Sequence, residues 1–404
     1  MKRKYFFMAM PVVALPLAFI LFSNKGAIPG GELVVHEWGT FTTLAGSDGG
    51  LLNGLYLDEE PLPDFVFQYQ TVPETIKNQR GKGVAFEPTH VNVKMETPVL
   101  YLYSPHPLHA SVRVDFPRGL ISQWYPSCSR GNNPPAGNTP AGGSGGNQDL
   151  VKAVDFTTPV NGFMKWEPDI LAPGTQQTIS HPGGSHTWNT PRQTDANLLS
   201  VKNGSREDVE KFIFYRGIAN FTPPVRARFM GGAEGSPIEI TNAGKQDLPY
   251  VLVYEKKGNG DAIIYWQGAV KGGEKQSVDH REGKVADFAE FEKGLMAAGL
   301  YPKEAKAMLA TWKNSYFGNK GIRIFWIAPE EWLNAILPLH INPQPREIKR
   351  VFVGRYELLS PAFETSLLKG WQKNGGLLPD GKEVARDRYH LAYAELVQRR
   401  AGRP

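Results

Sequence analysis

The chain of 404 residues holds a single cysteine, Cys128, so no disulfide within the chain braces it. Its charge is small once the first residues are set aside. The formal +5 falls to +2 without Lys2, Arg3 and Lys4 (5 − 3 = 2), which gives a nucleic-acid partner no electrostatic support. Phosphate loops, dinucleotide fingerprints, EF-hand loops and zinc ribbons are missing. His36-Glu37 has Thr40 where a zinc-binding helix needs its second histidine. No internal repeat is visible. Long helices are disfavoured, because Gly 43 and Pro 32 point to many turns between short strands.

One long apolar run is present. Tyr5 to Phe22 follows Lys2, Arg3 and Lys4 and carries no charge. Residues 1–25 read as a signal peptide or an uncleaved N-terminal membrane anchor, with membrane contact only through 5–22. The body is expected to be extracytoplasmic: periplasmic, envelope-bound or secreted.

Beyond the leader the pattern is mainly β (α+β). "NVKMETPVLYLYS" and "HASVRVDFPRG" alternate with period two, as half-buried antiparallel strands do. Residues 31–245 read as a β-rich, sandwich-like domain, interrupted at 129–149 by a flexible Gly/Pro/Asn loop. Gly142 to Gly146 in that loop match a nucleophile elbow in letters only, since no strand and helix flank them. Residues 246–404 begin with a hairpin, "YVLVYEKKGNGDAIIYWQGAV". An αα-hairpin follows at 286–317, with Gly299 as its C-cap and Pro302 opening the second helix. Further strands and C-terminal helices complete the chain. Ser366 and Lys369 match S-x-x-K by spacing, inside one of those helices and without companion motifs.

Candidate chemistry rests on a few polar residues in apolar surroundings. In a strand, His36 and Trp38 share one face and Glu37 takes the other, so the adjacent pair does not converge on one ion. Arg216 follows the apolar run "FIFY" and reads as either a buried ion-pair partner or an anion clamp; Glu96, just before "TPVLYLY", is the partner it could take. Arg355 and Glu357 share a face of "VFVGRYELLS". Arg192 and Asp195 complete the catalytic candidates: His36, Glu37, Glu96, Arg192, Asp195, Arg216 and Arg355. Metal candidates are His36 and the two histidines of "SHPGGSHTW", His181 and His186. For every one of these, a structural ion pair or an ordinary turn residue remains open. His106 and His109 read as part of a strand connection.

The blocks "VVHEWGTFTT", "METPVLYLYS", "EKFIFYRG", "GLYPKEAKAMLATWKNSYF" and "ILPLHINPQPREIKRVFVGRYELLSP" occur in that order. On them the chain resembles a family of uncharacterised exported bacterial proteins that carry an HEWGTFT motif near the mature N-terminus. The resemblance implies export and brings no site residues or cofactor with it. Two functions stay open. One is a non-catalytic binding or structural module for an envelope glycan or protein. The other is an extracytoplasmic hydrolase with Glu37 or Glu96 as acid or base, His36 as relay and Arg216 as clamp.

Overall fold

The computed structural model describes residues 31–58, 62–68, 70–71, 85–131, 152–233, 235–258, 260–375 and 387–402. The leader and its span at 5–22 lie outside the described residues, as does most of the 129–149 loop with Gly142–Gly146. Of that loop's described residues, Arg130–Gly131 pairs with Lys165 and Met164 as a short strand. Among the described residues no helix is long and apolar enough to cross a membrane.

The protein is mainly β, built on a ten-stranded sheet. Val34–Ala45 lies near its middle, between Val93–Tyr103 and Glu347–Leu358. Outward from Val93–Tyr103 come Ile213–Ala219, Gly119–Tyr125 and Phe67–Gln68. Outward from Glu347–Leu358 come Gly321–Ile327, Leu248–Lys256, Ala262–Val270 and Lys284–Val285. Strands from both sides of residue 245 thus share one sheet, so the expected division there does not separate two cores. The sheet is not purely antiparallel either: Val34–Ala45 and Glu347–Leu358 run parallel. Local alternation cannot reveal this, because strand direction depends on partners some three hundred residues apart.

All twelve residues of Val34–Ala45 are buried, because both faces of the strand are covered. One face, with Val35, Phe41 and Phe352, packs against smaller sheets in a sandwich-like arrangement. The other, with Trp38, Val99, Tyr101 and Val351, packs against the αα-hairpin Ala289–Ala297 and Pro302–Trp312. Gly299 between those helices has φ +120°, a conformation that side chains resist, and Pro302 opens the second helix. The C-terminal helices Pro361–Lys373 and His390–Arg400 close one end over Leu44, Leu52 and Leu55.

The strand Val93–Tyr103 contains a bulge that matters for the site. Its register against Val34–Ala45 shifts between Trp38 and Thr40. Thr97, at the shift, has φ +62°, a strained value for a β-branched residue. The extra residue changes parity. Lys94 and Glu96 before it face the same way as Val99 and Tyr101 after it.

Candidate functional site

The helix-covered face is aromatic at one end and charged at the other. Along the first strand it presents His36, Trp38, Thr40, Thr42 and Leu44. Thr40 stands opposite Glu96, and Thr42 stands between Lys94 and Arg355. Glu357 is registered with Arg323 on the next strand. A polar band therefore runs across the sheet, and Arg216 extends it on the far side of Lys94 and Glu96.

Glu96 sits at the centre of this band. Its Oε1 accepts from Arg388 Nη1 at 2.8 Å, and its Oε2 accepts from Thr42 Oγ1 at 2.7 Å and Tyr316 OH at 3.1 Å. Burial by itself raises its pKa. Arg388, Lys94, Arg355 and Arg216 outweigh that and hold the carboxyl well below the usual range. Asp58 is treated alike: burial raises it, while Lys94 and Arg216 bring it down. Lys94, fully enclosed, is itself lowered by burial, partly offset by Asp58 and Glu96. Lys94 Nζ lies 2.5 Å from Asp58 Oδ1, and Arg216 Nη1 lies 3.5 Å from the same oxygen.

Further along, Glu357 Oε1 accepts from Arg355 Nε at 2.6 Å and Arg323 Nε at 2.8 Å. The Arg355 guanidinium stacks 4.1 Å over the Tyr316 ring, and Arg388 lies 4.4 Å over Tyr389. Here the band opens into a cavity of about 550 Å³. Its walls include Arg323, Arg355, Glu357, Asp387, Arg388 and Tyr389. The volume lies within the usual range for ligand sites. Asp387 accepts from Tyr389 N at 2.8 Å and Tyr393 OH at 3.1 Å, and burial raises its pKa.

The sequence candidates divide. Glu96, Arg216 and Arg355 come together in the band. Glu96 and Arg216 are not each other's main partners: Arg388 takes the carboxylate and Asp58 takes the guanidinium. Arg355 and Glu357, read as sharing one face, pair with each other. His36 and Glu37 face opposite layers, as their alternation predicts. His36 Nδ1 donates to Glu304 Oε2 at 2.8 Å, and Glu304 also accepts from Tyr103 OH at 2.6 Å. Glu37 accepts from Arg350 Nε at 2.6 Å and from Tyr215 OH, in the other layer. Arg192 forks onto buried Glu210, with Nη2 2.7 Å from Oε2. Asp195 is an exposed partner of Lys303. A catalytic set of His36, Glu37, Arg192 and Asp195 is therefore not assembled.

The metal candidates do not converge. His36 is committed to Glu304. His181 stacks on Phe65 with centroids 4.2 Å apart, and His186 lies in a short helix against Thr190. No group of three or more His, Cys, Asp or Glu placed to hold a metal occurs among the described residues. Burial pushes the Cys128 thiol up to about 11, which keeps it a poor nucleophile.

Comparison with protein-family models and with curated proteins finds no match. Among solved structures, the yeast delta-COP-I mu-homology domain aligns over 81% of this chain and 98% of its own, with 6% identity and a TM-score of 0.28.

Sequence reasoning missed Asp58, Lys94, Arg323, Asp387 and Arg388. A signal existed for Arg323: like Arg216, it is the one basic residue of an apolar strand, "GIRIFWI". Arg388, in "VARDRYHL", gives none.

Proposed function

We propose that this protein is an exported cell-envelope binding module, non-catalytic, whose ligand is a glycan held in the cavity of about 550 Å³. The observation that carries the reading is the wall chemistry of that cavity. Planar guanidinium and carboxylate groups suit the paired hydroxyls of a sugar, and Tyr389 and Tyr393 supply aromatic surface for its C–H faces. The charged groups are braced by one another, so they form a preorganised surface. Export is supported by the leader and the family resemblance.

The hydrolase reading keeps one observation. Asp387, raised by burial, stands in the cavity beside Glu357, as a proton donor and a second carboxylate would. One experiment separates the two. The purified protein is titrated calorimetrically with defined oligosaccharides released from bacterial envelope polymers, and each mixture is then analysed by mass spectrometry. Saturable binding, weakened in Tyr389→Ala and with the oligosaccharide recovered intact, supports the binding module. Cleavage that is lost in Asp387→Asn transfers the site to the hydrolase reading. No binding by any oligosaccharide overturns the glycan proposal.

A further inference from the structure

A second, smaller cleft lies over the other end of the polar band and shares no wall residue with the large cavity. It consists of two spaces of about 30 and 20 Å³, both bounded by Thr97, Thr187, Arg216 and Thr311. Each exceeds the ~10–15 Å³ needed by one water, so together they admit a group of a few heavy atoms.

Its central feature is a buried cation with unused donors. The Arg216 side chain is 9% exposed, yet its Nε and Nη1 find no hydrogen-bond acceptor among the described residues. Asp58, its countercharge, is 3.5 Å away and already accepts from Lys94 and Gln123. Buried arginine donors are rarely left this way, because desolvation is not repaid. The indole N–H of buried Trp312, on the smaller space, also finds no acceptor among the described residues. Glu96 borders that space, but Thr42, Tyr316 and Arg388 already occupy its oxygens.

Backbone strain marks the same spot. Thr97, with φ +62°, lines both spaces, and such outliers concentrate where a ligand is gripped. The larger space continues between Trp38, Trp188, Phe212 and Phe214, whose rings face a ligand's body; the indole N–H of Trp38, like that of Trp312, finds no acceptor among the described residues.

We propose that this cleft binds a small aliphatic carboxylic acid. Its carboxylate takes the free Nε donor of Arg216, and its short apolar body lies against Trp38, Trp188 and Phe214. A carboxylate oxygen suits a charged N–H donor, and the aromatic walls exclude a fully hydrated tetrahedral anion. The inference is independent of the glycan reading, and each can fail without the other.

The test is isothermal titration of the full chain with propionate, butyrate and inorganic phosphate. The expected result is one saturable carboxylate site, weakened about 10- to 100-fold in Arg216→Gln, with no competition from phosphate. Absence of saturable carboxylate binding, binding unchanged in Arg216→Gln, or equal competition by phosphate overturns the proposal. Should Arg216→Gln fail to fold, wild-type crystals soaked in 3-bromopropionate decide the matter. A bromine anomalous peak between Trp188 and Phe214 supports the site; a peak elsewhere, or none, refutes it.

Discussion

Replacing Arg350 by methionine tests how much the buried pair beneath the sheet contributes. Glu37 is wholly buried, with Arg350 Nε 2.6 Å from its Oε2 and Tyr215 donating to its Oε1. Methionine fills most of the space of the arginine stem but offers no donor. Among the described residues Glu37 is then left with Tyr215 alone in a buried layer. Breaking a buried pair by removing one partner costs about 3–5 kcal/mol. Arg350 also donates to the Leu337 carbonyl at 2.6 Å, and abandoning that acceptor adds about 1 kcal/mol. The expected loss is near 5 kcal/mol. A chain of this length unfolds with an entropy of about 0.8 kcal/mol/K, so the melting temperature should fall by about 6 °C. Calorimetric melting of the full chain reads it directly. The double variant Glu37→Leu/Arg350→Met removes both charges and should recover at least ~2 kcal/mol relative to Arg350→Met. A double variant whose loss equals or exceeds the sum of the two single losses refutes the reasoning, because the pair would then not be coupled.

Three further outcomes follow from the geometry. His36→Ala takes the Nδ1 donor from fully buried Glu304 and should cost about 2–4 kcal/mol, with His36→Gln closer to wild type in the same melting assay. Gly354→Ala places a Cβ 1.9 Å from the Trp326 indole in a packed layer; it should cost about 3 kcal/mol or more, and an unchanged melting temperature would contradict the packing described. The lowered pKa values of Glu96 and Asp58 contribute stability that is fully present above their unfolded values, 4.5 and 3.8, and is lost as pH falls through the folded ones. Asp387, raised by burial, changes stability in the opposite sense. The melting temperature should therefore drop below about pH 4, less steeply in Arg388→Met, and a flat acid profile would argue against charge-held Glu96.

Legibility differed from element to element for physical reasons. Gly299 and Pro302 marked the turn of the αα-hairpin because left-handed φ and a missing N–H are local demands. The 248–270 hairpin was readable from its turn for the same kind of reason. His36 and Glu37 were correctly placed on opposite faces, since strand parity is local. Parity was not enough at Glu96, because the bulge at Thr97 resets it, and that bulge answers to two neighbouring strands. The partners could not be read at all. Glu304 lies 268 positions from His36, and Arg388 lies 292 from Glu96.

By itself, then, the sequence determined a β-rich chain with a helical hairpin, and it exposed the lone charges in apolar strands that had to find company. Tertiary structure alone decided which partners they met. It set the first strand parallel beside the last and gathered Glu96, Arg216 and Arg355 into one band. It sent His36 and Glu37 to separate layers. The reason is that propensity and alternation act over a few residues, whereas a buried charge is satisfied by whichever distant group the sheet order brings within about 3 Å.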